Sequence, residues 1–299
     1  MPTTLTNAPL LTTQERRGMS AICTPAGRML IVAADQRNGM KAVMTDGDGT
    51  PVTQDQLVEA KADLVSYLGN HAAAILLDPE VALPQIVDDG TLSRDTALVV
   101  GMDASGFEEV DGLRYTRFVD GVTPERVREL GGDVAKMLWY LRPDRQDEAD
   151  RAVREIRELT EACSSAGLLL IVEILTYQLE GESDEDYAAA FPGLVADSAR
   201  ISVANGARVL KLQYPGSAEA SAAVTEAAGG VPWAVLSAGV DHETFIDQVR
   251  TAVAHGASGA MAGRSLWKDS LSVSHEVREE KLTELAQPRL RELAEAVEG

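Results

Sequence analysis

The stretch "DEADRAVREIRELTEACSSAGLLLIVEILTY", residues 147–177, decides the fold. Its first part has an acidic start, apolar residues at helical spacing and a stop at Gly167, the pattern of an amphipathic helix packed on one side. Its second part is a short, nearly unbroken apolar run, as a strand of a parallel sheet covered on both faces requires. A helix feeding such a strand is the repeating unit of an α/β architecture.

The same unit recurs on either side. Apolar runs stand at 29–37 (MLIVAADQR), 72–80 (AAAILLDPE), 96–103 (TALVVGMD), 134–141 (VAKMLWYL), 168–177 (LLLIVEILTY), 208–215 (RVLKLQYP), 232–240 (PWAVLSAGV) and 258–267 (SGAMAGRSLW). Helical patterns lie between them, among them DHETFIDQVRTAVAHGA and the closing REEKLTELAQPRLRELAEAVEG, which is expected to kink or break at Pro288. Eight strands with eight following helices predict a closed (β/α)₈ barrel in preference to an open doubly wound sheet with the same local alternation. No linker or low-complexity segment divides the chain, so residues 1–299 are expected to form one barrel domain. Residues 1–12 read as a flexible tail, and LTTQERRGMSAICT as a helix covering the barrel bottom.

At 299 residues and 45% hydrophobic, the chain can bury a large core. Its formal charge of −20 argues against nucleic acid or an anionic membrane as partner, because the summed field repels both. Cys23 and Cys163 lack metal-ligand spacing and read as reduced thiols. With no signal-like N-terminus and no apolar run of membrane-spanning length, the expected location is the cytoplasm. His71, His242, His255 and His275 form no ligand pattern, and there is no Walker loop, Gly-rich dinucleotide turn or GxSxG elbow, so no metal and no cofactor is expected.

In a barrel of this kind the chemistry sits at the C-terminal ends of the strands, so polar residues inside or just after the apolar runs are the candidates. They are Asp35, Gln36 and Arg37, Asp78 and Glu80, Lys136, Glu173, Lys211, Ser237 and Arg264. Only six residues are lysine against twenty-one arginines, yet two of the six lie within strand-like runs. An ammonium desolvated beside another cation loses proton affinity, and the neutral amine can then attack a ketone to form a Schiff base. Lys211 as nucleophile with Lys136 as cationic neighbour fits that chemistry; an ion pair of Lys211 with Glu173 or Asp35 is the alternative. Glu173 is a candidate general acid or base, and Asp35 either holds a lysine, touches substrate hydroxyls, or is a carboxylate paired with Arg37 or capping the backbone. Ser237, Gly239, Gly263 and Arg264 follow the last two strands, where such barrels cradle a phosphate. Gln36 and Arg37 are placed across the mouth from these, as contacts for a second anion at the far end of an extended sugar.

The segments AADQRNGMK, AILLDPEVALP, AKMLWY, VEILTY, VLKLQYP, LSAGV and GRSLW, in this order over residues 30–268, resemble the class I tagatose-bisphosphate aldolase family. The resemblance implies a TIM barrel with the Schiff-base lysine at Lys211, a second lysine at Lys136 and a proton-transferring Glu173. It also implies cleavage of a ketose 1-phosphate, tagatose 1,6-bisphosphate first, into dihydroxyacetone phosphate and glyceraldehyde 3-phosphate. The segments PWAVLSAGVD and GASGAMAGR are similar to the sulfofructose-phosphate aldolases, whose aldehyde product would be sulfolactaldehyde and whose setting is sulfoglycolysis. A non-catalytic sugar-phosphate-binding barrel and an isomerase or decarboxylase on the same scaffold are the rival readings. The expected partner is a phosphorylated ketose, the expected assembly a homo-oligomer.

Overall fold

The computed structural model describes residues 10–44 and 50–299. Ten strands follow one another as β1 (Met29–Ala33), β2 (Ala74–Leu77), β3 (Ala97–Gly101), β4 (Asp103–Val110), β5 (Leu113–Phe118), β6 (Val134–Tyr140), β7 (Leu169–Leu175), β8 (Val209–Gln213), β9 (Trp233–Leu236) and β10 (Gly259–Ala262). Eight of them close in the order β1-β10-β9-β8-β7-β6-β3-β2, all parallel, and each apolar run contributes one. The fold is a TIM barrel. Closure depends on a close approach at Gly259, where a Cβ would lie 2.0 Å from the Met29 carbonyl oxygen on the pairing strand.

Each barrel strand is buried on both faces, and the two faces have different partners. Ile31, Val134, Leu169, Ile171, Val209, Ala234 and Met261 point inward and form one cluster, which fills the lower part of the barrel. Their neighbours in sequence, such as Leu30, Ala135, Val172 and Leu210, point outward and pack in a second cluster under the surrounding helices. The 147–177 stretch behaves as its pattern requires. Asp150 caps a helix over Arg151–Ser165 by accepting from the Ala152 N–H, and Ala152, Val153, Ile156 and Cys163 on its inner stripe are sealed. Both cysteines are free, and burial pushes the Cys163 thiol up to about 12.

The helix expected at the barrel bottom spans Thr13–Ala21, and Ile22, Met19 and Leu11 pack with Met29, Val134 and Leu169 at the N-terminal ends of the strands. Thr12 is its cap, paired with Glu15 in a capping box, so the tail expected over residues 1–12 is corrected at Leu11 and Thr12, which belong to the packed helix, while residues 1–9 lie outside the described residues. Near the C-terminus, helix His275–Lys281 runs through a widened π turn at Leu282–Ala286 into helix Gln287–Glu298, with Pro288 in the first turn of the latter. The irregularity anticipated at Pro288 thus falls just before it. No helix among the described residues is long and apolar enough to cross a membrane.

One element departs from plain alternation. Between the third and fourth barrel strands, β4 and β5 form an antiparallel hairpin closed by Asp111 and Gly112, at φ 52° and 76°, with Val110 facing Leu113. Two consecutive left-handed residues make the turn whose twist matches a hairpin, and Asp-Gly is a favoured pair for it. That dipeptide was the available signal in the sequence. The hairpin begins at Asp103 on the barrel rim, which carries this residue into the site.

Candidate active site

Side chains on a strand alternate, so the residues two positions beyond the inward-facing Val134, Ile171 and Val209 also face inward. Those residues are Lys136, Glu173 and Lys211. Glu173 and Lys211 are direct partners across the β7/β8 pairing, and Lys136 enters from β6 on the other side. Asp35 follows β1 and Asp103 follows β3. All five line one cavity of about 590 Å³ at the C-terminal end of the barrel.

Glu173 joins the two lysines. Its Oε2 lies 2.7 Å from Lys136 Nζ and its Oε1 2.9 Å from Lys211 Nζ. Lys136 also donates to Asp35 Oδ2 at 2.8 Å and to Asp103 Oδ1 at 2.9 Å, so three carboxylates share it. Lys136, Glu173 and Lys211 are 2%, 7% and 4% exposed, so these charges interact in a medium far less screening than water. Burial by itself lowers the proton affinity of Lys136, but Asp103, Asp35 and Glu173 together outweigh it and raise its pKa well above that of an ordinary lysine. Lys136 is therefore a fixed cation.

The two aspartates on that cation are driven apart. Burial would raise Asp35, but Lys136 and then Lys211 more than offset it and hold the carboxyl well below the usual carboxylate range. Asp103 is pushed up, first by burial, with Lys136 opposing and Asp35 and Glu173 adding to the rise. Its Oδ1 accepts from Lys136 and from the Leu138 N–H, while its Oδ2 has no donor among the described residues. Asp103 ends the third apolar run and was overlooked in the sequence because the run was read as closing there. Two carboxylates on one ammonium are thus given opposite tendencies by their surroundings.

The loops after β9 and β10 form the other end of the cavity. Ser237 Oγ accepts from the Gly263 N–H at 3.2 Å, tying the two loops together. Ala238 and Gly239 are both left-handed, at φ 49° and 81°, and for alanine this costs on the order of 1 kcal/mol. The bend is held by Lys268, whose Nζ donates to the Gly239 carbonyl at 2.9 Å and the Val240 carbonyl at 3.4 Å. A Cβ on Gly239 would sit 3.4 Å from Arg264 Cζ, so the glycine lets the guanidinium lie against the backbone. Arg264 is exposed and has no acceptor among the described residues. The helix it opens, Arg264–Trp267, is one turn long, so charge and backbone amides, more than a helix dipole, characterise this end.

Gln36 and Arg37 do not lie together across the mouth from this loop pair. Barrel closure makes β1 the neighbour of β10, and Gln36 Nε2 lies 3.6 Å from where a Cβ on Gly263 would be while donating to Asp35 Oδ1 at 2.9 Å. Arg37 turns the opposite way. It donates to the Asp103 carbonyl at 2.8 Å and to Ser105 Oγ at 3.2 Å, and its guanidinium lies 3.0 Å from Glu80 and 3.9 Å from Asp78. Asp78 faces away from the cavity, 2.7 Å from the buried Lys61, which also donates to the carbonyls of Ala34 and Gln36. Among the described residues no group of three or more His, Cys, Asp or Glu is placed to hold a metal ion; Asp35, Asp103 and Glu173 converge on an ammonium instead.

A family model described as DeoC/LacD family aldolase matches residues 29–269, most of the chain and all eight barrel strands. Among curated proteins, tagatose 1,6-diphosphate aldolase of Lactococcus lactis subsp. lactis is 25% identical over 287 residues, covering 88% of this chain and 87% of the relative. The enzyme of the same name from Listeria monocytogenes serotype 4a is 28% identical over 282 residues, covering 86% and 82%. Among solved structures, an archaeal fructose-1,6-bisphosphate aldolase, with its catalytic Lys covalently bound to the carbinolamine intermediate of the substrate, superposes with a TM-score of 0.64 at 18% identity over 95% of this chain and 99% of that one. Fructose-bisphosphate aldolase from Slackia heliotrinireducens gives 0.66 at 17% identity, over 99% and 96%.

Proposed function

The chain belongs to the DeoC/LacD family of aldolases and is thus a lyase, and from that premise we propose that it works through a Schiff base on Lys211, cleaving a ketose 1-phosphate into dihydroxyacetone phosphate and an aldehyde. The observation that carries the reading is the bridge by which Glu173 contacts both buried lysines through different oxygens. One lysine is kept charged by three carboxylates, and the other has a single carboxylate ready to take its proton.

The steps follow from those positions. Glu173 accepts a proton from Lys211, and the freed amine attacks C2 of the ketose to give a carbinolamine. Glu173 returns the proton to the C2 oxygen, which leaves as water, and the iminium remains. Removal of the C4 hydroxyl proton by the same carboxylate lets the C3–C4 electron pair flow into the iminium, releasing the aldehyde and leaving an enamine on Lys211. Protonation at C3 and addition of one water to the imine release dihydroxyacetone phosphate and regenerate the amine. Lys136 stays protonated throughout and fixes Glu173 in place. Arg264, with the backbone amides of Gly239 and Gly263 and the Ser237 hydroxyl, anchors the C1 phosphate, so that binding remote from the breaking bond positions C2 against the amine. Tagatose 1,6-bisphosphate and sulfofructose 1-phosphate share this C1 half and differ at the other end.

Incubation with dihydroxyacetone phosphate and borohydride tests the reading. The reduced adduct is expected on Lys211 by peptide mapping and absent in Lys211→Arg, because a guanidinium stays protonated. Adduct on Lys136 alone would exchange the two roles, and none on either would favour a barrel that uses its lysines only as counter-charges.

A further inference from the structure

We propose that Lys61, joined to Arg37 through Asp78, is a positioning residue for the aldol chemistry: it holds Asp35 by the two peptide carbonyls that bracket it, and the run of charges it begins holds Asp103 through Arg37. The proposal rests on the Schiff-base reading above.

β1 ends at Ala33, so Asp35 stands beyond the strand that aims it. Lys61 reaches this segment from behind, out of helix Gln54–Tyr67, and donates to the Ala34 carbonyl and, at 2.8 Å, to the Gln36 carbonyl. One ammonium gripping the peptides on both sides of Asp35 limits how far its carboxylate can swing from Lys136 Nζ, 2.8 Å away. Against burial, the charge of Lys61 joins those of Lys136 and Lys211 in keeping Asp35 ionised. Lys61 is itself fully sealed and is not among the residues lining the cavity, so it acts through Asp35 and not on a ligand. A sealed pair of ammonium and carboxylate gives a fold little over an apolar pair of the same volume, so stability alone does not account for it.

Asp78 turns this grip into a connection. Its Oδ2 lies 2.7 Å from Lys61 Nζ, its Oδ1 accepts from the Glu80 and Val81 N–H groups at 3.1 and 2.8 Å, and the same oxygen lies 3.9 Å from the Arg37 guanidinium. Arg37, 3.0 Å from Glu80, donates to the Asp103 carbonyl at 2.8 Å and to Ser105 Oγ at 3.2 Å. Lys61, Asp78 and Arg37 thus run behind the rim from the end of β1, past β2, to the start of the hairpin. At the two ends of this run stand the two aspartates that share Lys136. A shift of either one changes the charge around Lys136 and, through it, the placing of Glu173 between the two lysines.

The test counts competent sites by borohydride trapping of dihydroxyacetone phosphate on Lys211 and expresses kcat per trapped site. Absence of trapping in the wild type counts against the Schiff base, and loss of folding in a variant is separated from loss of positioning. Lys61→Met combined with Asp78→Asn removes both charges, while the asparagine oxygen can still accept from the Glu80 and Val81 N–H groups. Per trapped site its kcat is expected to fall about tenfold to a hundredfold, with KM within about twofold of the wild type. Added to Asp35→Asn, the same pair of changes should lower kcat little further, because residues that act through one group are not additive, whereas a purely structural role would multiply the two losses. Wild-type kcat per trapped site, or losses that multiply, would overturn the proposal. Should the double variant yield no trapped sites, Arg37→Met decides in its place. A fall in kcat that Asp103→Asn already contains is expected; wild-type kcat, a loss that multiplies with Asp103→Asn, or a rise confined to KM, which would make Arg37 a substrate contact, rejects the proposal.

Discussion

Two buried lysines both act on Asp35, and they have opposite characters. Lys61, on helix Gln54–Tyr67, has one carboxylate partner, Asp78, and two carbonyl acceptors, and both charged side chains are fully sealed. Its pKa is lowered, because burial outweighs what Asp78 returns. Lys136 has three carboxylates, borders a cavity and has its pKa raised. A structural pair is closed, with one carboxylate for one ammonium. The cluster around Lys136 holds more carboxylate than ammonium and borders a cavity, the arrangement expected of charges that meet a ligand.

Lys136→Met and Lys61→Met are the strongest ways to break that contrast. The first should reduce kcat by about a hundredfold or more, as loss of a group on which proton transfer depends does, while the protein still folds. The second should leave Asp78 buried with only the more distant Arg37 guanidinium, at 3.9 Å, as counter-charge and cost about 3 kcal/mol in urea unfolding, with the imine still trapped on Lys211 in the folded fraction. If Lys61→Met unfolded at the wild-type midpoint, or if Lys136→Met turned over normally, burial and partner count would not distinguish the two systems.

The contrast was partly legible in the sequence. Lys136, Glu173 and Lys211 interrupt apolar runs, and period-two alternation makes them inward-facing once the strands are placed. Lys61 was passed over because it sits in an amphipathic helix, where a lysine normally marks the solvent side; its burial depends on Asp78 arriving from β2, a long-range meeting with no local trace. Asp103 was missed for a related reason. Its role depends on an inserted hairpin, whose local mark in the sequence is a two-residue Asp-Gly turn outside the alternation of strand and helix. Gln36 and Arg37 are adjacent in sequence yet face opposite ways, because the chain is leaving a strand there and the inward alternation no longer applies.

A smaller effect is expected at the anion end, where the contrast is between an engaged and an unengaged cation. Arg264→Ala should remove one charge-assisted contact to the C1 phosphate, about 1.5–3 kcal/mol, hence roughly tenfold to a hundredfold in kcat/KM. Stability should hardly change, since Arg264 has no partner among the described residues to lose. Wild-type kinetics toward a ketose 1-phosphate would move the anion site away from the β9 and β10 loops.

The smallest effect lies inside the cluster and separates Asp35 from Asp103. Asp35 has its pKa lowered by Lys136 and Lys211, so its ionised form stabilises the fold above the unfolded value of about 3.9, and that contribution is lost as pH falls below it. Asp103 has its pKa raised, so the cost of its charge to stability builds up as pH rises from the unfolded value of about 3.9 and is complete above its folded value. Asp35→Asn should therefore lower Tm at pH 7.5, whereas Asp103→Asn should raise it, by roughly 2–4 °C for each kcal/mol in a chain of this size. The Asp103 difference should shrink as the pH is lowered toward 4 and the unfolded chain's carboxyl also protonates, whereas the Asp35 difference should persist at pH 4 and decline only below it. Asparagine at 103 can still accept from Lys136 and the Leu138 N–H, so the gain would report relief of charge rather than lost geometry. Asp103→Asn should also slow turnover, because it changes the charge on Lys136, which holds Glu173 in place. A variant that is both less stable and fully active would place Asp103 with Lys61's partner, as a structural carboxylate on a buried lysine.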